Sequence, residues 1–242
     1  MSGAISHIYP AAAHQERYNL RRHVLRDGLL RPIGFGLLVN PTIEGHERVP
    51  TSGPVIFIMN HIAAIDPFVL VGAVTSRYVV PMSKIENYSH PIVGLMARSW
   101  GAYPVRRGEV DRQALASTLA VLEQGWPVLI APEGTRRPSL SEAKEGMVYI
   151  AIKANALIVP VGLDGTDQFP GSLKRLRRAP ITIRFGRAFR LRTEGRARVP
   201  RDDMHRMTRE TMYQLAALLP ERRRGFYRDL DQMTTDTLEF LV

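Results

Sequence analysis

The chain contains no cysteine. That excludes disulfides, thiolate metal sites and a cysteine nucleophile, and it is compatible with a reducing compartment. Long apolar runs are also missing. Nothing approaches the roughly 18 consecutive apolar residues of a membrane span. The nearest stretch, Leu29 to Val39, is interrupted by Arg31, Pro32 and two glycines. Met1 to Ala13 has no basic segment leading into a long apolar one, so no secretory signal is expected there. Acidic residues are in short supply, with 23 Asp+Glu against 33 Lys+Arg and a net charge of +10. Such a chain is drawn to polyanions: an anionic membrane surface, a phosphorylated substrate or nucleic acid. Aromatic residues make up only 7% and are not interleaved with the basic runs. The stacking platform of a nucleic-acid-binding module is therefore absent, and no nucleic-acid partner is expected.

What is present is a hydrophobic fraction of 45% in 242 residues, enough for one cored domain with at most a small appendage. Residues 14–31 predict a strongly basic helix. Leu20, Val24 and Leu25 would form an apolar stripe, flanked by Arg17, Arg21, Arg22 and Arg26. That helix is either packed on the domain by its stripe or laid on anionic lipid. The division expected is a basic, amphipathic N-terminal segment over 1–40 and a main domain over 41–242. From there the chain alternates. Strands are expected at Thr42–His46, Val55–Met59, Tyr78–Pro81, Tyr103–Val105, Val128–Ala131, Leu157–Val161 and Ile181–Phe185. Helices are expected at Pro67–Val74, Pro91–Trp100, Val110–Gln124 with Gly125 as its stop, Ser141–Asn155 and Asp202–Leu219. This alternation predicts an α/β fold: a mostly parallel or mixed central sheet flanked by helices.

Four segments carry chemistry. In Asn60-His61-Ile62-Ala63-Ala64-Ile65-Asp66, a histidine and a carboxylate follow a buried strand. Imidazole is suited to proton transfer near neutral pH, and a carboxylate can orient it. Asp66-Pro67 also reads as a helix N-cap and first position. In Gly101 to Gly108, a short strand runs into Arg106 and Arg107, and an arginine fork suits phosphate. Pro132-Glu133-Gly134-Thr135-Arg136 follows the strand Val128-Leu129-Ile130. Beyond a strand's carboxyl end, ligands bind in open α/β sheets. Gly134 permits close backbone approach, Thr135 offers a hydroxyl and Arg136 can take an anion. Finally, Pro160 breaks the apolar strand Ile158-Val159-Pro160-Val161. Proline belongs at an edge or bulge, so Pro160 is expected to shape one wall of a pocket.

In this order, across roughly residues 42–165, the segments resemble the glycerolipid acyltransferases that include the 1-acylglycerol-3-phosphate acyltransferases. That family carries N-H-x-x-x-x-D, G-x-x-x-[VI]-x-R, P-E-G-T-R and a V-P-V strand. The resemblance implies transfer of an acyl chain from acyl-CoA or acyl carrier protein to a lysophospholipid hydroxyl, 1-acylglycerol-3-phosphate first among them. His61 would be the general base and Asp66 its orienter. Arg107, Gly134, Thr135 and Arg136 would hold the acceptor's phosphate. Glu133 would bind the glycerol hydroxyl or pair with an arginine. Neither a cofactor nor a metal is required. Other acceptors fit the same motifs: another lysophospholipid, glycerol 3-phosphate or a glycolipid. The chain departs from the family at Ala63 and Ala64, where serine or threonine is common, at Pro104 for phenylalanine, and at Arg137 for serine. A cytoplasmic protein bound peripherally to an anionic membrane is expected, held by basic segments 17–26, 174–178 and 222–224.

Overall fold

The computed structural model describes residues 9–108, 110–196 and 199–241. The part of the N-terminal reading that falls on residues 1–8 lies outside the described residues. The main elements are α1 (Pro10–Ala13), α2 (Asn19–His23), β1 (Val39–Glu44), β2 (Val55–Met59), α3 (Asp66–Ala73), β3 (Val80–Lys84) and α4 (Pro91–Trp100). They continue as β4 (Tyr103–Val105), α5 (Arg112–Glu123), β5 (Val128–Ile130), α6 (Gly146–Lys153), β6 (Leu157–Asp164) and β7 (Ala179–Phe185). The chain closes with β8 (Phe189–Leu191), α7 (Arg201–Ala217), α8 (Glu221–Arg224) and β9 (Leu238–Phe240).

The strands form one nine-stranded sheet in the order β1-β7-β6-β2-β5-β3-β4, with β8 and β9 attached beside β6. All five residues of β2 are buried because helices cover both faces of the sheet. Successive strand side chains point to opposite faces. Ile56 and Ile58 accordingly join the core under α5, α6 and α7, while Val55, Phe57 and Met59 join the core under α3. Strands β6, β2, β5, β3 and β4 run parallel. Their carboxyl ends therefore open on the same side, and every chemical segment except the β6 proline follows one of those ends.

The mixed sheet bears out the expected fold class, with local corrections. Strands β8 and β9, three residues each, were not expected from the sequence. Helix α6 begins at Gly146 rather than Ser141. The five residues before it are committed elsewhere: Ser141 bonds Glu133, and the Lys144 N–H donates to the Pro132 carbonyl at 3.2 Å. Strand β1 begins at Val39 and so spans the expected 40/41 boundary.

The N-terminal segment is arranged differently from its sequence reading. It forms α2 and then a wide π-type helix over Val24–Leu38, a stretch rich in glycine and containing Pro32. Leu20 and Val24 face outward, while Arg22 and Arg26 are buried. The reason is a set of helix C-termini whose last carbonyls lack partners. Arg22 donates to the Trp100 carbonyl at the end of α4 at 2.8 Å. Arg26 donates to the Val74 and Thr75 carbonyls beyond α3 at 3.1 and 3.2 Å, and Arg31 donates to the Gly72 carbonyl at 2.8 Å. A cation at a helix C-terminus also meets the favourable end of the dipole. Burial pulls the Arg22 guanidinium down to about 10, so it stays charged at neutral pH. No helix among the described residues is long and apolar enough to cross a membrane.

Candidate active site

His61 stands two residues beyond β2, and its Nδ1 lies 2.8 Å from Asp66 Oδ2. The same oxygen accepts the N–H groups of Ile62 at 2.7 Å and Ala63 at 2.8 Å. Asp66 is therefore not the N-cap that its position before Pro67 suggested. It is the first residue of α3, and Ile65 occupies the cap position. Its carboxylate turns back into the loop instead of toward the helix amides. Both side chains are buried, Asp66 completely. Asp66 Oδ1 receives no hydrogen bond from the described residues. A carboxylate on Nδ1 places the ring proton there, which leaves Nε2 with a free lone pair.

The loop is held from two sides. The Asn60 amide bridges to β6: its nitrogen donates to the Leu163 carbonyl and its oxygen accepts the Leu163 N–H, both at 2.8 Å. On the other side, the Arg137 N–H donates to the His61 carbonyl at 2.8 Å. Through these contacts the loops after β2 and β5 and the end of β6 form one bonded unit.

His61 forms part of the wall of a cavity of about 290 Å³. Leu25, Leu30, Val71, Val93 and Met96 supply apolar wall, and Lys84, Arg107 and Arg136 also border it. Neither Arg107 nor Arg136 makes a side-chain hydrogen bond or ion pair among the described residues. Burial lowers the Arg107 guanidinium below its usual range, the nearby charge of Arg136 lowers it further, and Glu86 partly restores it. Two cations close enough to repel each other, neither ion-paired among the described residues, are arranged for an anion.

The other expected site residues divide. Gly134 and Thr135 are exposed beside Arg136. Gly134 has φ +71°, a left-handed turn that favours glycine, and its N–H is spent on the Ala131 carbonyl at 3.0 Å. Its role is thus to make the turn. Among the described residues Glu133 makes no ion pair with an arginine, although the charge of Arg137 acts on it, and it does not line the cavity. Its Oε2 accepts the Ser141 N–H at 2.7 Å and the Ser141 hydroxyl at 3.0 Å. Burial raises the Glu133 carboxyl, and the Ser141 donors and the facing His61 amide partly offset this. Pro160 does not line the cavity. It lies inside β6 opposite Ile58, and its carbonyl accepts the Gly186 N–H at 2.8 Å. Its missing N–H faces the gap where β6 changes partner from β8 at Ile158 to β7 at Val161. No ladder bond is lost there, which is why proline is tolerated inside the sheet.

Sequence reasoning gave no role to Asn60 or Ser141 and passed over Lys84. Lys84 ends β3, a parallel strand near β5. A lysine closing a strand of the same sheet was the available signal.

The fold is thus an α/β sheet that carries a buried histidine–aspartate pair on a largely apolar cavity. The acyltransferase family model matches residues 40–164, from β1 to the end of β6. The chain belongs to the glycerolipid acyltransferase family. It is 33% identical over 151 residues to a 1-acyl-sn-glycerol-3-phosphate acyltransferase of Chlamydomonas reinhardtii, covering 59% of this chain and 44% of that protein. It is 30% identical over 131 residues to the enzyme of the same name from Borreliella burgdorferi, covering 52% of each. The chain thus spans about half the length of these curated relatives. Its fold is similar to the crystal structure of the 1-acyl-sn-glycerophosphate acyltransferase PlsC from Thermotoga maritima. The TM-score is 0.60 at 21% identity, over 83% of this chain and 81% of that one.

Proposed function

We propose that this protein transfers a fatty acyl group from a thioester, carried on coenzyme A or acyl carrier protein, to the free hydroxyl of 1-acylglycerol-3-phosphate. One observation carries the reading: an Asp66-bound His61 borders an apolar cavity also bordered by Arg107 and Arg136, neither of which has a side-chain partner among the described residues. His61 Nε2 takes the proton of the acceptor hydroxyl. The oxygen attacks the thioester carbonyl, the carbon–sulfur bond breaks, and the imidazolium returns its proton to the departing thiolate. Asp66 stabilises the imidazolium in between, as the carboxylate does in a serine hydrolase, with the substrate hydroxyl in place of serine. The apolar wall takes hydrocarbon, and Arg107 and Arg136, joined by a Lys84 that also pairs with Glu86 at 3.2 Å, hold the acceptor phosphate.

Peripheral binding to an anionic membrane fits the surface around this cavity. Leu20, Val24, Ile33, Leu37, Ile92 and Leu95 are exposed on the N-terminal helices and α4. Leu25, Leu30, Val93 and Met96 of those same helices line the cavity. A bilayer touching the outer face would deliver chains to the inner one. The basic segments contribute less than their sequence suggests. Arg22 and Arg26 are buried, Arg222 and Arg223 pair with Asp164, and Arg178 donates to the Val39 carbonyl. Among these segments, exposed Arg21, Lys174, Arg175 and Arg177 remain for lipid phosphates.

The test is His61→Ala, assayed with acyl-CoA and acyl carrier protein against 1-acylglycerol-3-phosphate, glycerol 3-phosphate and other lysophospholipids. Loss of a general base lowers kcat by about 10²–10⁴-fold. Near wild-type transfer by the variant overturns the mechanism, and a different preferred acceptor overturns the assignment of 1-acylglycerol-3-phosphate.

A further inference from the structure

Arg223 lies in α8, beyond the matched domain. Its guanidinium is buried and donates in three directions. Nε reaches Asp164 Oδ1 at 2.9 Å, one terminal nitrogen reaches Asp167 Oδ2 at 2.6 Å, and the other reaches the Pro138 carbonyl at 2.9 Å. The Arg223 carbonyl accepts the Leu140 N–H at 2.9 Å, and the Leu140 carbonyl accepts the Phe226 N–H at 2.8 Å. Between them, Gly225 has φ +49°, and a Cβ there would stand 2.1 Å from the Leu140 carbonyl oxygen. Only glycine allows the two backbones to approach this closely.

Residues 137–141 are thereby held at three points. Arg137 bonds the His61 carbonyl, Ser141 bonds Glu133, and Pro138 and Leu140 bond the Arg223 segment. Arg136 and Thr135 sit immediately before this stretch. At the other end of the clamp, Asp164 follows Leu163, whose backbone is bracketed by Asn60 beside His61. One side chain from the C-terminal region thus connects the loop carrying the cavity arginine to the strand end that locates the histidine.

We propose that Arg223 is a positioning residue for acceptor binding. It fixes residues 137–141 against the end of β6 and so sets where Arg136 stands relative to His61. The inference rests on the reading of Arg136 as a ligand of the acceptor phosphate. Lysine cannot replace it fully. A single ammonium can pair with the aspartates but lacks the planar fork that also reaches Pro138.

The experiment uses the full chain with Arg223→Gln, Arg223→Lys and, as a control, Thr237→Ala. Thr237 is buried against Glu210 and makes no hydrogen bond to residues 133–141 among the described residues. Steady-state kinetics with 1-acylglycerol-3-phosphate and acyl-CoA are read beside amide hydrogen exchange. Arg223→Gln is expected to raise KM for the acceptor about tenfold or more, with KM for the thioester within about twofold. Exchange should accelerate over residues 133–141 and stay unchanged over Val55–Met59. Arg223→Lys should fall between Arg223→Gln and wild type. Thr237→Ala should lose stability without a shift in acceptor KM. Unchanged acceptor KM and unchanged exchange in Arg223→Gln would overturn the proposal, as would a Thr237→Ala variant with the same kinetic shift. If wild type acylates no phosphorylated acceptor, the functional reading fails by itself, and exchange over 133–141 still decides the clamp. If Arg223→Gln does not fold, Arg223→Lys carries both readouts.

Discussion

Replacing Asp66 with asparagine isolates the charge of the pair from its geometry. The carboxylate's Oδ2 accepts three hydrogen bonds, from His61 Nδ1, Ile62 N–H and Ala63 N–H. An alanine would strand all three donors, at about 1–3 kcal/mol each, and would test folding rather than chemistry. The asparagine carbonyl can take the place of Oδ2 and accept the same three bonds. What disappears is the negative charge facing the imidazolium that forms as the acceptor loses its proton. For unit charges about 4 Å apart at an effective dielectric constant of about 20, that attraction is about 4 kcal/mol. At about 1.4 kcal/mol per decade, the loss corresponds to a fall in kcat of about 10³-fold. The assay is release of free thiol from acyl-CoA with saturating acceptor, on protein whose circular dichroism matches wild type. Because the charge matters only once the histidine is protonated, KM for both substrates should change little. A kcat within tenfold of wild type would refute the assignment of Asp66 as electrostatic partner. A large rise in KM with normal kcat would mean that Asp66 shapes binding instead.

Arg136→Ala should raise KM for a phosphorylated acceptor by about 10- to 100-fold and leave the thioester KM nearly unchanged, since a charge-assisted bond contributes about 1.5–3 kcal/mol; equal losses for both substrates would place Arg136 elsewhere. Asn60→Ala should lower unfolding free energy by about 2–4 kcal/mol in urea, because it removes two buried bonds and leaves the Leu163 amide and carbonyl unpaired. Glu133→Gln tests the buried carboxyl through pH. The folded-state value of Glu133 is raised, so its contribution to stability is full below the unfolded value and is lost as pH rises through the folded one. The midpoint temperature of Glu133→Gln relative to wild type should therefore improve from about pH 4 to about pH 8. A difference that shrinks over that range would contradict the buried placement.

Much of this site was legible before any fold was known. Val55–Met59 is five apolar residues with no polar interruption, and a strand buried on both faces needs that run. Alternation with helices then implies a largely parallel sheet, and a parallel sheet gathers its loops at one end. From there the convergence of His61, Arg107 and Arg136 follows. The single-residue roles were less legible. Asp66-Pro67 has the local form of a capped helix start, yet the carboxylate faces backward, because three donors in the preceding loop outcompete the helix amides. Glu133 stands beside a glycine and an arginine in sequence, and in space it belongs to Ser141.

Sequence by itself thus determined most of the elements, the α/β class and the identity of the histidine–aspartate pair, because these rest on periodicity, turn chemistry and spacing within a short window. Tertiary structure alone decided which charges are free. Arg22 and Arg26 read as the solvated or lipid-facing flank of an apolar stripe until the carbonyls of Trp100 and Val74, 78 and 48 residues away, draw them inward. Arg223 reads as part of a basic run until Asp164, Asp167 and Pro138 surround it. A buried guanidinium must satisfy its donors wherever acceptors exist, and the position of those acceptors is a property of the folded chain, not of the residues beside the arginine.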